Sequence, residues 1–588
     1  MLWLQLISLS IMNINVRTVL VCAMLFFIFG NNKAQYIPKN NAEILKKEAK
    51  VYAEKTYQQL SEDEKIGQLF IVALYTNKGE SFINQVKTLV DKENIGGLIL
   101  MQDDTRRHIS LVNELQGKSK IPLMIGMDAE WGLYQRLPIA HKFPWAMTLG
   151  AVQDNTLIYE MAAKIAEDCK RMGIYWDFAP VVDVNTNPIN PIIGNRSFGS
   201  NVKKVIEKGL AYSYGLQDNG VLASIKHFPG HGDTDTDSHL DLPVVNHSLH
   251  RLNKVELAPF KALMDKKIGG VMVAHLYVPS LENQKGIPAS ISHNIVTNLL
   301  KNKYGYQGLI ITDALNMNAV AKRFNPGELD LRAFKAGNDI MLFSQDVPSG
   351  KRLIKKALQS GEISQDRLKE SVMKILEAKY LLGLQDFKPI DANNIERDLN
   401  NDTHQKLTEK LYANALTLIK DEAKALPLKS SEYYYLPLEE APYQDFIKEL
   451  QNEREVELIT EDKLNTLPQN TSIIVGLYKD NSTAYKPYKI SAKSKAILDR
   501  VAAKHQLILV VFGSPYALRD INIKNYPTVL VAYENNELSM KATAKGLLGK
   551  TKIHGRLPVV VNQDLKEGEG IDVEAVNSGI ECSIKVKN

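Results

Sequence analysis

The sequence has few cysteines, and they are poorly placed for disulfide bonds. Among its 588 residues are three cysteines, Cys22, Cys169 and Cys582. Cys22 lies in an N-terminal apolar run, and the other two are far apart, in different predicted domains. This spacing does not indicate a disulfide framework. Cys169 stands in a helical pattern, where it is expected to be a small buried hydrophobic residue.

The sequence also lacks a strong charge of one sign. Lys and Arg total 72 against 67 Asp and Glu, a formal net charge of +5, and the two signs are interspersed. The sequence contains no basic patch of the kind that would indicate a nucleic acid partner. Hydrophobic residues make up 44% and charged residues 24%, which is typical of a soluble globular protein. The length suffices for two or three domains.

A long apolar run occurs near the N-terminus. Arg17 precedes 13 residues of apolar character (18–30), and the polar segment NNKAQ follows. This order predicts a secretory signal peptide over residues 1–34, cleaved near Ala34, and the run is short for a membrane span. We therefore expect an exported protein, periplasmic or extracellular, with no membrane span after cleavage. The alternative is a retained N-terminal membrane anchor.

Short apolar runs alternate with helical patterns between residues 55 and 385. The runs are apolar throughout rather than alternating, as in strands buried on both faces of a parallel sheet. Eight such units predict a (β/α)8 barrel of the TIM type, and the alternative is an open doubly wound sheet. The predicted strands are 66–74, 95–101, 122–128, 173–180, 221–227, 269–275, 308–314 and 338–343.

Polar residues stand at the ends of several of these runs. Asp128, Lys226–His227, His275 and Asp313 each close a predicted strand. In a barrel the carboxyl ends of the strands converge on one face, where active sites are built. We therefore expect these residues, distant in sequence, to meet at one end of the barrel.

A second alternation of apolar and helical segments follows the barrel. Residues 386–402 are polar and contain a proline, which predicts a linker. Strand patterns at 415–420, 472–478, 507–513 and 528–534 then predict a smaller α/β layered domain over residues 403–588.

The stretch KHFPGHGDTDTDSHLDLP (226–243) is rich in groups that could bind metals or transfer protons. An EF-hand loop beginning at Asp233 would need glycine at its sixth position and an acid at its twelfth, but Ser238 and Val244 stand there. Three histidines could ligate zinc, although the proline and glycines at 229–232 exclude a helix that would present two of them together. We predict no metal and no other cofactor.

A catalytic role for this stretch is more specific. Asp237 lies two residues before His239, and a neighbouring carboxylate can orient a histidine and stabilise its charged form. Such a pair can donate and accept protons near neutral pH. Asp313, at a strand end, is a candidate carboxylate nucleophile. Taken alone, however, an Asp–x–His pair is more often part of a solvated loop.

The same stretch, together with GLIITDALNM (308–317), resembles the family 3 glycoside hydrolases. More narrowly it is similar to their β-N-acetylglucosaminidase (β-hexosaminidase) branch, which carries K-H-F-P-G-H-G followed by D-S-H. The resemblance covers residues 55–385 and extends more weakly to GRLPV (555–559). It implies a barrel catalytic domain followed by a smaller α/β sandwich domain.

This resemblance also implies roles for individual residues. Asp313 is expected to be the nucleophile, and His239, paired with Asp237, the general acid/base. The commoner family form D-x-E-G-G-x-x-x-R is altered here, because Trp131-Gly132-Leu133 replaces its G-G part. The residues expected to bind or shape the sugar are Asp128, Arg136, Arg196, Lys226 and His227.

The activity implied is a retaining hydrolysis of terminal β-linked N-acetylglucosamine, from wall- or chitin-derived oligosaccharides. Transfer to phosphate instead of water stays open, as does the oligomeric state. Two alternatives are a family 3 β-glucosidase and, from another class, a catalytically silent carbohydrate-binding protein. The D-S-H pair argues against a β-glucosidase. The presence of this pair together with Asp313 argues against a catalytically silent protein.

Overall fold

The computed structural model describes residues 39–102, 104–235, 241–439, 442–479 and 488–576. The chain divides into two compact units, Met1–Glu48 and Ala49–Asn588. Of the first unit only the start of helix α1 (Lys39–Gln59) is described, so the predicted signal peptide lies outside the described residues. The second unit contains both sheets.

Eight parallel strands form the first sheet, in the order β7-β6-β5-β4-β3-β2-β1-β8. A parallel bridge between Ile311 and Ile340 joins the two ends of this order, which closes the sheet into a barrel. The predicted (β/α)8 barrel is thus confirmed, and the open-sheet alternative is wrong. The strands are β1 (Phe70–Leu74), β2 (Gly97–Leu100), β3 (Met124–Met127), β4 (Trp176–Asp177), β5 (Leu222–Phe228), β6 (Gly270–Val273), β7 (Leu309–Thr312) and β8 (Met341–Leu342).

Helices lie between the barrel strands and pack on them through apolar faces. Many begin at a side-chain cap, such as Ser61, which forms a capping box with Glu64, and Asn201, which accepts from the Lys204 N–H. The α-helices are α2 (Glu62–Gly67), α3 (Gly79–Glu93), α4 (Thr105–Lys118), α5 (Ala146–Ala151), α6 (Asn155–Arg171), α7 (Val202–Gln217), α8 (Leu249–Lys254), α9 (Leu257–Asp265), α10 (Asn318–Ala321), α11 (Glu328–Ala336), α12 (Val347–Gln359) and α13 (Gln365–Leu381). A π-helical segment covers Asn294–Lys303.

The segment 386–402, predicted as a linker, lies against the barrel. Arg171 donates hydrogen bonds to the carbonyls of Asp391 and Asn393 and pairs with Asp398 at 3.0 Å. A short helix, α14 (Ile395–Asp398), lies within it and buries Ile395.

The second sheet has six strands in the order β11-β10-β12-β13-β14-β9, all parallel except β9, which pairs antiparallel with β14. Two of these strands, β10 and β11, were not predicted, because Pro437 interrupts the pattern of β10 and two glutamates interrupt that of the short β11. The strands are β9 (Thr417–Asp421), β10 (Glu432–Glu439), β11 (Glu455–Leu458), β12 (Ser472–Tyr478), β13 (Gln506–Phe512) and β14 (Thr528–Val531). The helices are α15 (Asp402–Ala415), α16 (Gln444–Gln451), α17 (Ala492–Lys504) and α18 (Glu537–Leu547).

The two faces of this sheet pack into different cores. Ile474 and Tyr478 of β12 belong to a separate core beneath α16 and α18. Val475 and Leu477 of the same strand belong to a core that is continuous with that of the barrel. Because successive side chains of a strand point to opposite faces, one face of the second sheet is joined to the barrel. Among the described residues no helix is both long and apolar enough to cross a membrane.

Candidate active site

The carboxyl ends of the barrel strands surround a cavity of about 650 Å³. Side chains from the loops after β3, β4 and β7 and from the end of β5 line it, as the convergence of strand ends predicted. Six of the eight predicted site residues line this one cavity: Asp128, Arg136, Arg196, Lys226, His227 and Asp313.

Lys226 and His227 reach the cavity from adjacent positions of β5. In a regular strand, neighbouring side chains point to opposite faces. Here the register of β5 against β6 shifts between Ile225 and Phe228, and the Lys226–His227 peptide bond is cis. Both side chains line the cavity and are buried.

A network of opposite charges covers one wall of the cavity. Lys226 Nζ lies 2.9 Å from Asp128 Oδ1 and 2.8 Å from Glu130 Oε1. Arg136 pairs with the second oxygen of Asp128, and Arg196 binds Glu130 through two nitrogens, at 2.7 and 2.9 Å. The charged groups hold one another in fixed positions, as buried ions require.

This network lowers the pKa values of its carboxyl groups. Burial alone would raise the pKa of Glu130, but Arg196 and Lys226 outweigh it and lower the value from 4.5 to about 2. Burial is likewise outweighed at Asp128, where Lys226 and Arg136 hold the pKa well below its ordinary range. Both side chains are thus anionic at neutral pH and accept hydrogen bonds.

Asp183, which follows β4, orients His227. Its Oδ2 lies 2.7 Å from His227 Nδ1, and the main-chain N–H groups of His227 and His231 donate to the same carboxylate. Because Nδ1 is bound to a carboxylate, His227 presents Nε2 toward Arg196 and the cavity, 3.2 Å from the guanidinium. Burial lowers the pKa of the neighbouring His231 to about 4, so that imidazole is neutral at pH 7.

Asp313 stands at the end of β7, on the side of the barrel opposite β3. Its N–H donates to Val273 O at 2.8 Å, and its Oδ1 accepts from the Ala314 N–H at 2.8 Å. His275, predicted to be at the barrel end, lies 3.0 Å from Ala314 O and 2.7 Å from Ser290 Oγ. It supports the loop that carries Asp313.

Comparison with known proteins agrees with this geometry. The family model for the glycosyl hydrolase family 3 N-terminal domain matches residues 61–378, more than half of the chain. The chain belongs to glycosyl hydrolase family 3. The resemblance drawn from residues 226–243 and 308–317 is therefore confirmed at the level of the family.

Two curated relatives carry the name of the predicted branch. The chain is 34% identical over 379 residues to "Beta-hexosaminidase A" of Pseudoalteromonas piscicida, a match covering 59% of this chain and 63% of that protein. It is 34% identical over 333 residues to "Beta-hexosaminidase LpqI" of Mycobacterium bovis, covering 54% of this chain and 83% of that protein. The chain thus spans less than two thirds of the first relative's length.

Solved structures extend the similarity to both domains. A family 3 β-N-acetylglucosaminidase from Paenibacillus sp. is similar with a TM-score of 0.71 and 29% identity, over 86% of this chain and 99% of that one. The β-glucoside phosphorylase BglX has a TM-score of 0.75 and 23% identity, over 88% of this chain and 97% of that one, and supports the fold alone. The predicted barrel followed by an α/β domain is shared with these structures.

Two predicted site residues of this family 3 chain, Asp237 and His239, lie outside the described residues. The described residues on either side of them make side-chain contacts. His231, before them, lies 2.7 Å from Thr234 Oγ1, and Arg323 donates to Asp241, after them, at 2.9 Å. Their assignment as the acid/base pair stays a prediction.

Some side chains in and near the 226–243 stretch are of types that can ligate a metal ion. His227, one of the histidines considered for zinc, is bound to Asp183. Within the described ranges, Asp233, His247 and Glu256 lie close enough to hold a metal ion. Arg251 lies 3.1 Å from Glu256 Oε1 and 3.8 Å from Asp233 Oδ2, so a cationic side chain already pairs with these acids.

Several residues of the site were not predicted. Glu130 and Asp183 each follow a barrel strand, so their position at the end of a strand could have indicated them, as it did Asp128. Their charge partners could not be predicted from the sequence. Trp131 and Trp145 line the cavity with their rings stacked 4.5 Å apart. The departure of Trp131 from the family's G-G pattern was the signal for this aromatic wall.

The lowered pKa of Glu130 predicts a specific acid sensitivity. Because folding lowers this pKa, the unfolded chain binds the proton more tightly, and the stabilisation present above pH 4.5 is lost as the pH falls toward about 2. The full effect is on the order of 3 kcal/mol. We expect urea unfolding between pH 7 and 3 to show a steeper loss of stability for the wild type than for Glu130→Gln. Parallel curves would contradict the ionic pairing of Glu130.

Proposed function

We propose that the protein is an exported, retaining β-N-acetylglucosaminidase that removes terminal β-linked N-acetylglucosamine from oligosaccharides. The observation that carries the proposal is the single cavity in which Asp313 faces a wall of fixed charged groups, Asp128, Arg136 and Lys226. The names of the relatives and of the Paenibacillus structure support the choice of sugar.

In this proposal Asp313 attacks the anomeric carbon. It displaces the leaving oxygen and forms a covalent glycosyl-enzyme, which water then hydrolyses with retention of configuration. Asp313 is half-buried and lines the cavity, so its carboxylate is accessible to a sugar there. The hydrogen bond from the Ala314 N–H to Oδ1 orients the carboxylate.

His239, paired with Asp237, protonates the leaving oxygen and then takes a proton from water. Imidazole titrates close to neutral pH, whereas a carboxylic acid would need its pKa raised to serve the same purpose. The support for this assignment is the D-S-H sequence in a loop that starts at the end of β5, next to the cavity residues Lys226 and His227.

The wall of charged groups recognises the terminal sugar. Sugar hydroxyls both donate and accept, and the wall offers acceptors on Asp128 and donors on Lys226, Arg136 and Arg196. Because salt bridges already position these groups, binding a sugar requires little further ordering of side chains. His227, fixed by Asp183, contributes Nε2 to the same wall.

The natural substrates in this proposal are wall- or chitin-derived fragments met outside the cytoplasm. The support is the apolar run at residues 18–30, typical of a secretory signal peptide. The acceptor in the second step is water. Release of N-acetylglucosamine 1-phosphate in phosphate buffer would identify phosphorolysis instead.

The first experiment compares 4-nitrophenyl β-N-acetylglucosaminide with 4-nitrophenyl β-glucoside. We expect kcat/KM for the N-acetyl sugar to be at least about tenfold higher, because a site built to bind the acetamido group rejects a sugar without it. A preference for the glucoside would keep the family but contradict the His239 assignment. Turnover of neither substrate, with binding of chitooligosaccharides by calorimetry, would favour a silent carbohydrate-binding protein.

A further inference from the structure

Trp131 and Trp145 form an aromatic wall of the cavity. Their rings are stacked, with centroids 4.5 Å apart and planes 12° from parallel. Trp131 is half-buried and lines the cavity, while Trp145 behind it is only 3% exposed. The position of Trp131 therefore depends on that of Trp145.

Glu534, from the second domain, holds Trp145 in place. It follows β14, and its Oε1 accepts from the main-chain N–H of Trp145 at 2.8 Å and from the Thr148 hydroxyl at 2.7 Å. Trp145 and Thr148 stand at the beginning of α5, where main-chain N–H groups have no partner within the helix. Glu534 supplies that partner from outside the barrel.

The second domain fixes Glu534 at this point. The side chain is 2% exposed, and burying a carboxylate is costly unless its partners are in place. Asn536 Nδ2 lies 3.5 Å from its second oxygen, and Lys142 Nζ of the barrel 3.6 Å away. Tyr533, just before it, has a φ of 66°, a conformation that is unfavourable for a bulky residue and is kept where the surroundings determine it.

The wall lies opposite the residue proposed as nucleophile. Trp131 and Trp145 belong to the loop after β3, and Asp313 follows β7. In the order of the barrel strands, three strands separate β3 from β7 in either direction. In a pyranose ring C4 lies across from the anomeric carbon. When the anomeric carbon is held at Asp313, the rest of the ring extends across the cavity, and its C4 side, the part farthest from that carbon, lies toward β3.

From this geometry we infer that Trp131 closes the cavity beyond C4 of the terminal sugar, and that Glu534 is the second-domain residue that positions it, through Trp145. The second domain thus takes part in selecting unsubstituted terminal sugars. This inference rests on the proposed function, because it takes Asp313 as the nucleophile. Glu534 acts through Trp145 and is a positioning residue, not a catalytic one.

The test compares 4-nitrophenyl β-N-acetylglucosaminide with its 4-O-methyl ether. We expect Trp131→Ala to raise the ratio of kcat/KM for the ether to that for the parent sugar by about tenfold, the lower end of what pocket shape contributes to discrimination. Glu534→Ala is expected to shift the ratio in the same direction. On the parent sugar both variants should raise KM more than they lower kcat, because the wall is remote from the reacting bond.

Two variants separate positioning from a general loss of structure. Glu534→Gln keeps an oxygen that can accept from the Trp145 N–H and is expected to restore the wild-type ratio. Glu567→Ala removes another interdomain hydrogen bond, to Asn201 at 3.1 Å, between residues that do not line the cavity, and should leave the ratio unchanged.

The outcomes distinguish the two proposals. If the wild type turns over the parent sugar but Trp131→Ala leaves the ratio within twofold, the inference is wrong and the proposed function stands. If the ratio changes in Trp131→Ala but not in Glu534→Ala, Glu534 does not position the wall. If Glu534→Ala does not fold, the ratio is compared between Glu534→Gln and Glu534→Asp instead. If the wild type turns over neither substrate, the proposed function itself fails.

Discussion

Asp313→Asn should lower kcat for 4-nitrophenyl β-N-acetylglucosaminide by at least about 10⁴-fold, the scale on which loss of a catalytic nucleophile is felt. The amide is nearly the same size as the carboxylate but cannot form the glycosyl ester. Its oxygen can still accept from the Ala314 N–H, as Asp313 Oδ1 does. We therefore expect the thermal unfolding temperature to stay close to that of the wild type.

The matched control is Asp265→Asn, the same chemical change on α9 outside the cavity lining. Asp265 is exposed and pairs with Lys261. This variant should keep wild-type kcat. A 5-fluorinated N-acetylglucosaminyl fluoride should in addition label the wild-type enzyme on the peptide that contains Asp313. Full activity of Asp313→Asn, or label on a different carboxylate, would overturn the nucleophile assignment.

The second large effect concerns stability rather than rate. Lys226→Met should lower the free energy of unfolding by about 3 kcal/mol, because removing one member of a buried ion network leaves carboxylates short of a partner. Lys226 is buried and bridges Asp128 and Glu130 at 2.9 and 2.8 Å. Urea unfolding at pH 7 measures the change as a shift in midpoint at constant slope.

Lys379→Met is the matched control for this variant. Lys379 is also buried, but it donates to the neutral Gln68 Oε1 at 2.7 Å, and burial lowers its pKa to about 7. Its replacement leaves a neutral amide oxygen without its donor but no carboxylate unpaired, and should cost about 1–2 kcal/mol, less than Lys226→Met. Equal losses in the two variants would show that burial of a lysine, not the pairing with Asp128 and Glu130, sets the cost.

The barrel could be predicted from sequence because each strand is a local signal. A run such as 308–314 is apolar throughout, bounded by polar loops, and needs no knowledge of its neighbours to be assigned. The second sheet was predicted less completely for the same reason. In β10 the local pattern is broken by Pro437, and only pairing with β11 on one side and β12 on the other makes it a strand.

The candidate site, too, was predicted only where the signal is local in sequence. Asp128, Lys226, His227 and Asp313 were found because a barrel brings its strand ends together, so position in the local pattern was enough. The charge pairs that set the ionisation of these side chains were not predicted. Asp128 and Lys226 are far apart in sequence, and no local pattern indicates that they are in contact. Glu534, in the second domain, gave no sequence signal at all.

The sequence by itself determined the class of fold, the family and the residues at the strand ends, since these follow from local hydrophobic patterns and from contiguous motifs. Only the tertiary structure decided which charges neutralise one another and which domain supports the Trp131–Trp145 wall. Those properties depend on distances between side chains remote along the chain, and electrostatic and packing energies are set by distance in space, not by separation in sequence.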